Sequence, residues 1–361
     1  MAKKLAFDRV LFGTVIVLLA VGLTMVFSAS AALVIESDGD SNPFLLRQAA
    51  AAFVGLVLMW TAMHVDYRQL RRPLVVYGGL AVVVLLLMVA LFQPDLNGTR
   101  RWIFLGPVSI QPSELAKLGT VLFAAYHAER QAERDRAWEM IVPCCVVAGL
   151  LAALILLQPD MGTAVIVFAT ALLVLFLSGS PWRFFLVSAA ALVPLAFVLI
   201  RLEPYRWRRI TAFLEPERYA LDAGFQANQS LIAVGSGGVF GLGLGDSVQK
   251  LHFLPHPHSD FVFSIVAEEL GLVGACLVLS LFGVFLWRGV VAGLRVTDPF
   301  GRLLAWGLTG TIVLQALLHV SVALSLMPTT GVPMPFLSAG GSALVVTLVA
   351  SGVLLNISQH G

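Results

Sequence analysis

The chain has 361 residues, of which 58% are hydrophobic and 12% charged, with a formal net charge of +2. An ordinary soluble domain carries roughly 25% charged residues, so this composition, with a mean hydropathy of +0.90, marks an integral membrane protein. No basic run or heptad accompanies the near-neutral charge, which argues against nucleic acid as a partner.

A hydrocarbon layer of about 30 Å takes apolar windows of roughly 17–25 residues. The opening MAKKLAFDRV resembles a signal peptide, but the apolar run continues over 10–34 without a clear cleavage site, so it reads as a retained first span. Further windows at 46–64, 74–92, 113–129, 139–157, 162–180, 184–201, 260–287, 303–327 and 337–357 bring the number to ten. Cys144, Cys145 and Cys276 lie within apolar runs, without the spacing of a disulfide framework or a zinc site. An even number of spans leaves both ends on one side. Lys3, Lys4 and Arg9, then Arg68, Arg71 and Arg72, Arg130, Arg134 and Arg136, and Arg288, Arg295 and Arg302 all fall there, so both termini are expected to be cytoplasmic. The expected architecture is an all-α membrane protein forming one polytopic domain over 1–361, with about ten transmembrane helices. The outer side receives Glu36, Asp38 and Asp40, a segment after span 3, and a long extracytoplasmic loop, 202–259, between spans 7 and 8. Only that loop has room for a structured outer element, and it is expected to contribute to the active site.

The outer stretch NGTRRWIFLGPVSIQPSELAKLG gathers Arg100, Arg101 and Trp102, then sends Glu114 and Lys117 into span 4. Spaced i, i+3, those two share a helix face and can pair. They are either a self-neutralising buried pair or, with the arginines, part of an anion site. Trp102 is by default an interfacial anchor. The long loop begins PYRWRRITAFLEP, and its Arg206, Arg208 and Arg209 suit anionic headgroups or a diphosphate-bearing lipid. GSGGVFGLGLGDS lacks both common phosphate-loop patterns and reads as a tight re-entrant or interfacial turn. The tripeptide Gln-Pro-Asp occurs twice, at 93–95 and 158–160, where proline stops a helix at the water boundary.

LPHPHSDFVFSIVAEELG, 254–271, brings three carboxylates to a membrane entrance. Counted as a helix from Asp260, residues at 100° intervals place Asp260, Ser264 and Glu268 on one stripe, and Glu269 points away. Glu268 then lies roughly 12 Å below Asp260, a depth that demands a proton or a neighbouring cation. Asp260 stays at the boundary, ionised and able to meet substrate. Beside it, His256 and His258 can orient the acid or join it at a metal ion.

The ordered motifs GTRRWI, QPSELAK, QPDMGTA, PYRWRRITAFLEP, QANQSLIAVGSGGVFGLGLGDSVQKLHFLP, PHSDFVFSIVAEELG and MPTTGVPMPFLSAGGSAL resemble the SEDS family (shape, elongation, division and sporulation), its FtsW branch more than its RodA branch. The resemblance implies a ten-span glycosyltransferase of the bacterial cytoplasmic (inner) membrane. Its members polymerise lipid II into glycan strands beside a class B penicillin-binding protein and other divisome or elongasome membrane proteins. It also implies that Asp260 is the essential acid and that Arg100, Arg101, Trp102 and Asp160 correspond to family motif positions; Glu114, Lys117, Arg206, Arg209, Gln229, His258 and Ser259 are further candidates for holding the substrate. No covalent cofactor is implied, and magnesium or manganese at Asp260 suits diphosphate chemistry. Four positions depart from the family pattern: His256 stands where glutamate is common, Thr330 where some members carry lysine, His319 where asparagine is frequent and Ala339 where tyrosine is usual. Two rival readings remain, a lipid II flippase and a non-enzymatic scaffold.

Overall fold

The computed structural model describes residues 6–36, 43–94, 98–106, 108–131, 137–215, 218–219, 224–251, 253–255 and 257–360. Each of the ten apolar windows coincides with a long helix: α1 (Arg9–Glu36), α2 (Pro43–His64), α3 (Pro73–Leu91), α4 (Pro112–Gln131), α5 (Ala137–Leu156), α6 (Met161–Leu177), α7 (Trp182–Leu202), α10 (Val262–Arg295), α11 (Pro299–Ala323) and α12 (Gly341–Ser358). Eight are long and apolar enough to cross a membrane. The other two are α4, which carries Glu114, Lys117, Glu129 and Arg130, and α6, which has only 17 residues. The chain is therefore a multi-pass membrane protein.

The segments expected on the outer side hold more structure than loops. After α3, β1 (Ile103–Leu105) and β2 (Val108–Ile110) pair antiparallel with Ile103 opposite Ile110, the one sheet among the described residues. The segment 202–259 contains α8 (Pro204–Leu214) and α9 (Phe225–Ser236). Proline at the start of α3, α8 and α11 fits the first helical turn, where its missing N–H costs nothing.

At the centre, α4 packs against α3, α5, α6 and α11, while α10 lies along α11 and α1, and α2 along α12. By contrast, α7 packs chiefly on α8, and Phe184 alone among its side chains is buried. One end of the bundle gathers both termini. Arg288 Nε donates to Asp8 Oδ2 at 2.7 Å, the Asp8 amide donates to Ser358 Oγ, Tyr67 N donates to Asn356 Oδ1, and Arg71 pairs with Glu129 at 2.8 Å. These are the segments to which the basic-residue count assigns the inner side. Lys3, Lys4, Asp38, Asp40, Arg134 and Arg136 lie outside the described residues.

Gly271 interrupts α10 with φ +67°. Its break is repaired in trans by the glycine-rich run: Leu272 N donates to Gly238 O, Val273 N to Val239 O, Leu242 N to Glu268 O and Gly243 N to Glu269 O, each within 3.0–3.1 Å. A Cβ on Gly271 would fall 2.3 Å from Gly241 N, so only glycine allows the two backbones to meet. Gly271 lies nine residues into α10, about 14 Å below its start. The run therefore dips into the thickness of the bundle, as a re-entrant turn requires, with its peptide groups paired away from lipid.

Candidate functional site

The end of the bundle opposite the termini assembles the candidate residues from four places: the β-hairpin with the tops of α4 and α6, helix α8, the segment before α10, and the segment 327–340 between α11 and α12. The last two hold each other. Ser338 Oγ donates to Ser259 O at 2.6 Å, Ala339 N donates to His258 O at 2.8 Å, and the Ser338 carbonyl accepts from Gln48 Nε2 at 3.0 Å. His258 stacks at a tilt on Phe44, their rings 4.6 Å apart.

Here the structure corrects the helix count. Helix α10 begins at Val262, with Phe261 in the cap position, so Asp260 precedes it and is not on a helical stripe with Ser264 and Glu268. The chain before α10 follows Pro255 and Pro257 and takes its hydrogen bonds from 338–339 instead of from a helical turn. Asp260 is half-buried; Ser259 Oγ donates to its Oδ1 at 2.9 Å, and Oδ2 accepts no hydrogen bond among the described residues. That oxygen lies 3.6 Å from where a Cβ on Gly331 would be, and Gly331 itself has φ +72°. On α11, buried His319 bonds Val332 O through Nδ1 at 2.9 Å, and its Nε2 has no partner among the described residues. His256 lies outside the described residues.

Glu268 and Glu269 have separate partners, drawn from the end of the glycine-rich run, the residues just after it and α1. Glu268 accepts from Ser247 Oγ at 2.5 Å and from the amides of Val248 and Gln249. Glu269 accepts from Ser28 Oγ and pairs with Lys250 Nζ at 2.7 Å, with both side chains almost wholly buried. At its depth Glu268 is met by a hydroxyl and two amides and by no cation among the described residues, whereas Glu269 has the cation, Lys250. Sequence reasoning missed Lys250 because it sits just after the glycine-rich run and not on a neighbouring span.

Glu114 and Lys117 form their pair at 2.7 Å, with side chains 1% and 5% exposed. Lys117 Nζ also donates to Gln315 Oε1 at 2.5 Å, and Gln315 Nε2 reaches Pro333 O at 2.7 Å, tying α4 to the 327–340 segment through α11. Glu114 Oε1 is buried without a partner among the described residues. Asp160 caps α6 by accepting from Thr163 N at 3.0 Å and Thr163 Oγ1 at 2.9 Å. It also accepts from Gln111 Nε2 and lies 4.0 Å from an Arg101 amino group. Asp160 thereby holds the base of the hairpin and orients Arg101, whose Nε is buried without a partner among the described residues. Arg100 stands exposed and Trp102 half-buried at the hairpin entrance.

On α8 the arginines divide. Arg206 donates to the carbonyls of Leu199 and Leu156 at 3.2 and 3.3 Å, closing the ends of α7 and α5. Arg209 donates to Thr329 O at 2.7 Å and to the Tyr205 hydroxyl. An open cleft of about 300 Å³ lies between Tyr205, Arg208 and Arg209 of α8 and Phe225 and Gln226 of α9. Half-buried Gln229 follows Gln226 one turn along α9. Among the described residues no group of three or more His, Cys, Asp or Glu side chains could hold a metal ion.

Comparison with known proteins agrees with this layout. The family model of FtsW, RodA and SpoVE, described as a cell cycle protein, matches residues 8–361. A probable peptidoglycan glycosyltransferase FtsW from Alkalilimnicola ehrlichii is 42% identical over 96% of this chain and 88% of its own. Stage V sporulation protein E of Bacillus subtilis is 40% identical over 99% and 98%. A solved chain, from work on the structural coordination of polymerization and crosslinking by a peptidoglycan synthase complex, superposes with a TM-score of 0.82 at 32% identity, covering 98% of both chains. The ten-helix bundle and these matches together place the chain in the FtsW/RodA/SpoVE family.

Proposed function

We propose that the chain is a peptidoglycan glycosyltransferase that polymerises lipid II in cell division or cell-shape maintenance, with Asp260 as its catalytic base. One observation carries the assignment of the base: a carboxylate at the outer end, fixed by Ser259 through Oδ1, with Oδ2 free of hydrogen bonds among the described residues. Relatives that bear the name peptidoglycan glycosyltransferase support the reaction class.

Lipid II carries its sugar in α linkage to diphosphate and the glycan is β-1,4 linked, so transfer inverts the anomeric carbon. The acceptor 4-hydroxyl oxygen attacks that carbon as the bond to diphosphate breaks. Asp260 takes the hydroxyl proton, and undecaprenyl diphosphate leaves with the bonding electrons. Arg100 and Arg101, the latter oriented by Asp160, meet the charge that develops on the diphosphate. Lys117 is neutralised by Glu114 and serves to position the top of α4. Trp102 anchors the hairpin at the interface, while Arg206, Arg209, Gln229, His258 and Ser259 shape the surrounding surface. Asp260 would be the residue to hold a divalent cation such as magnesium or manganese, because hard cations accept one carboxylate beside substrate phosphates. Such an ion would supply further charge stabilisation to the leaving group.

The flippase reading rests on Glu268, Glu269 and Lys117. Lys117 is paired with Glu114, Glu269 with Lys250, and Glu268 accepts from Ser247 and two amides, which favours a structural role for them. We place the protein in the bacterial cytoplasmic membrane with its termini inside and a class B penicillin-binding protein as its cross-linking partner, because a similar chain was solved in a peptidoglycan synthase complex. The test is Asp260→Asn in purified protein given lipid II. Glycan ladders are expected from the wild type and none from the variant, with lipid II binding retained. Ladders from the variant at the wild-type rate would remove Asp260 from the mechanism. Lipid flipping without any ladder from the wild type would favour a transporter.

A further inference from the structure

The outer end carries a second cationic concavity that the steps above leave unused. The cleft between α8 and α9 presents Arg208, Arg209, Tyr205 and Gln226, is also lined by Pro255 and Thr329, and has no carboxylate lining it among the described residues. Arg209 is held in place, donating to Thr329 O and to the Tyr205 hydroxyl, with its guanidinium 4.5 Å from the Tyr205 ring centre. Arg208 is exposed, and its guanidinium makes no hydrogen bond or ion pair among the described residues. One fixed cation, one available cation and the Gln226 amide are the donors that phosphate oxygens take.

Part of this lining belongs to the two segments that hold Asp260. Thr329 is two residues from Gly331, against which Asp260 Oδ2 rests, so their Cα atoms lie within about 7 Å of each other. Pro255 precedes Asp260 by five residues on the other segment. The cleft is thus near the reacting atoms but set back from them.

We propose that this cleft is the diphosphate seat of the glycosyl acceptor, the second lipid-linked chain in the reaction; the inference rests on the polymerase reading. Both substrates are polyprenyl-diphosphate-linked sugars, but their geometries differ. The donor diphosphate is bonded to the carbon under attack, so it must lie at the reacting atoms, beside Asp260 and the hairpin arginines. The acceptor hydroxyl stands a disaccharide away from its own diphosphate, which stays intact throughout. A seat for the acceptor must therefore be cationic, connected to the Asp260 pocket and displaced from it, and the α8–α9 cleft meets all three conditions.

The experiment uses the full chain in nanodiscs of zwitterionic lipid, with lipid II as donor. The acceptor probe is a lipid II analogue whose anomeric phosphate is replaced by a non-cleavable methylene phosphonate, so it can be extended but cannot donate. Arg208→Gln is expected to raise the half-saturating acceptor concentration about tenfold, the size of one lost charge-assisted hydrogen bond. The maximal rate and the half-saturating donor concentration should stay as in the wild type, and Arg208→Lys should recover part of the loss. An unchanged acceptor value overturns the proposal, as does an equal shift in the donor value. An effect that appears only when anionic phospholipid is present would make Arg208 a headgroup contact and also overturn it. Absence of polymer from the wild type would sink the polymerase reading and this seat with it. Wild-type polymer with an unaltered Arg208→Gln acceptor curve would sink the seat alone.

Discussion

Lys250→Met tests the claim that the re-entrant run is pinned to the bundle by a buried charge. Lys250 Nζ reaches Glu269 Oε1 at 2.7 Å, Ser28 Oγ at 3.0 Å and Gly245 O at 2.6 Å, so one ammonium joins α1, α10 and the glycine-rich turn. The side chains of Lys250 and Glu269 are 4% and 0% exposed, so water cannot replace the lost cation. Removing one partner of such a buried pair costs about 3–5 kcal/mol. Replacing both leaves only Ser28 and the Gly245 carbonyl short of a bond, at about 1 kcal/mol each. Lys250→Met should therefore lower the melting temperature by on the order of 5–10 °C, and adding Glu269→Met should restore most of it. The assay is thermal unfolding in detergent micelles followed by tryptophan fluorescence, run as a double-mutant cycle with an expected coupling of at least about 2 kcal/mol. A Lys250→Met protein that melts within about 1 °C of the wild type, or a double variant no more stable than the single one, would refute the pinning argument.

Gly271→Ala should abolish recovery of monodisperse protein on size-exclusion chromatography, because the added Cβ meets Gly241 N at 2.3 Å; Gly283→Ala, where nothing lies within 4 Å, should behave as wild type in the same run. Asp160→Ala is expected to lose about 1–2 kcal/mol with the cap of α6 and to weaken polymer formation as Arg101 and Gln111 lose their anchor; calorimetry and a ladder assay read the two effects. Arg101→Ala should raise the apparent KM for lipid II about tenfold, and an unaltered KM would contradict a role in holding diphosphate.

Hydropathy located every spanning helix, because the bilayer imposes one length on any apolar helix whatever its neighbours. It also overran several helix ends: the windows 162–180 and 303–327 pass Leu177 and Ala323, and those starting at Asp260 and Leu337 begin in non-helical chain, where 338–339 donate hydrogen bonds to 258–259 across the site. Apolar character reports burial, and a helix is only one way of satisfying a buried backbone. The Glu114–Lys117 pair was legible because both members sit on one helix at i, i+3. Lys250 was not, since its partner Glu269 is 19 residues away through a break that only the glycine contacts reveal. Asp160 illustrates a third case: its N-cap role follows from Asp before an apolar run, but the contacts with Gln111 and Arg101 depend on where the hairpin folds back. The cleft on α8 depends likewise on how α8, α9 and the 327–340 segment meet.

The trans repair of α10 also sets an order on biogenesis. Residues 238–243 leave the ribosome before residues 268–273, yet the two stretches supply each other's backbone partners. Until α10 has emerged, Gly238 O, Val239 O, Leu242 N and Gly243 N lack the partners they have in the folded chain, and a lipid environment would leave them unsatisfied. The glycine-rich run must therefore wait at the aqueous surface while the later span is inserted, and only then descend beside it. Maturation of the outer site is in that sense post-insertional: the spans can be threaded one at a time, but the inward turn can enter only once its template is already in the membrane.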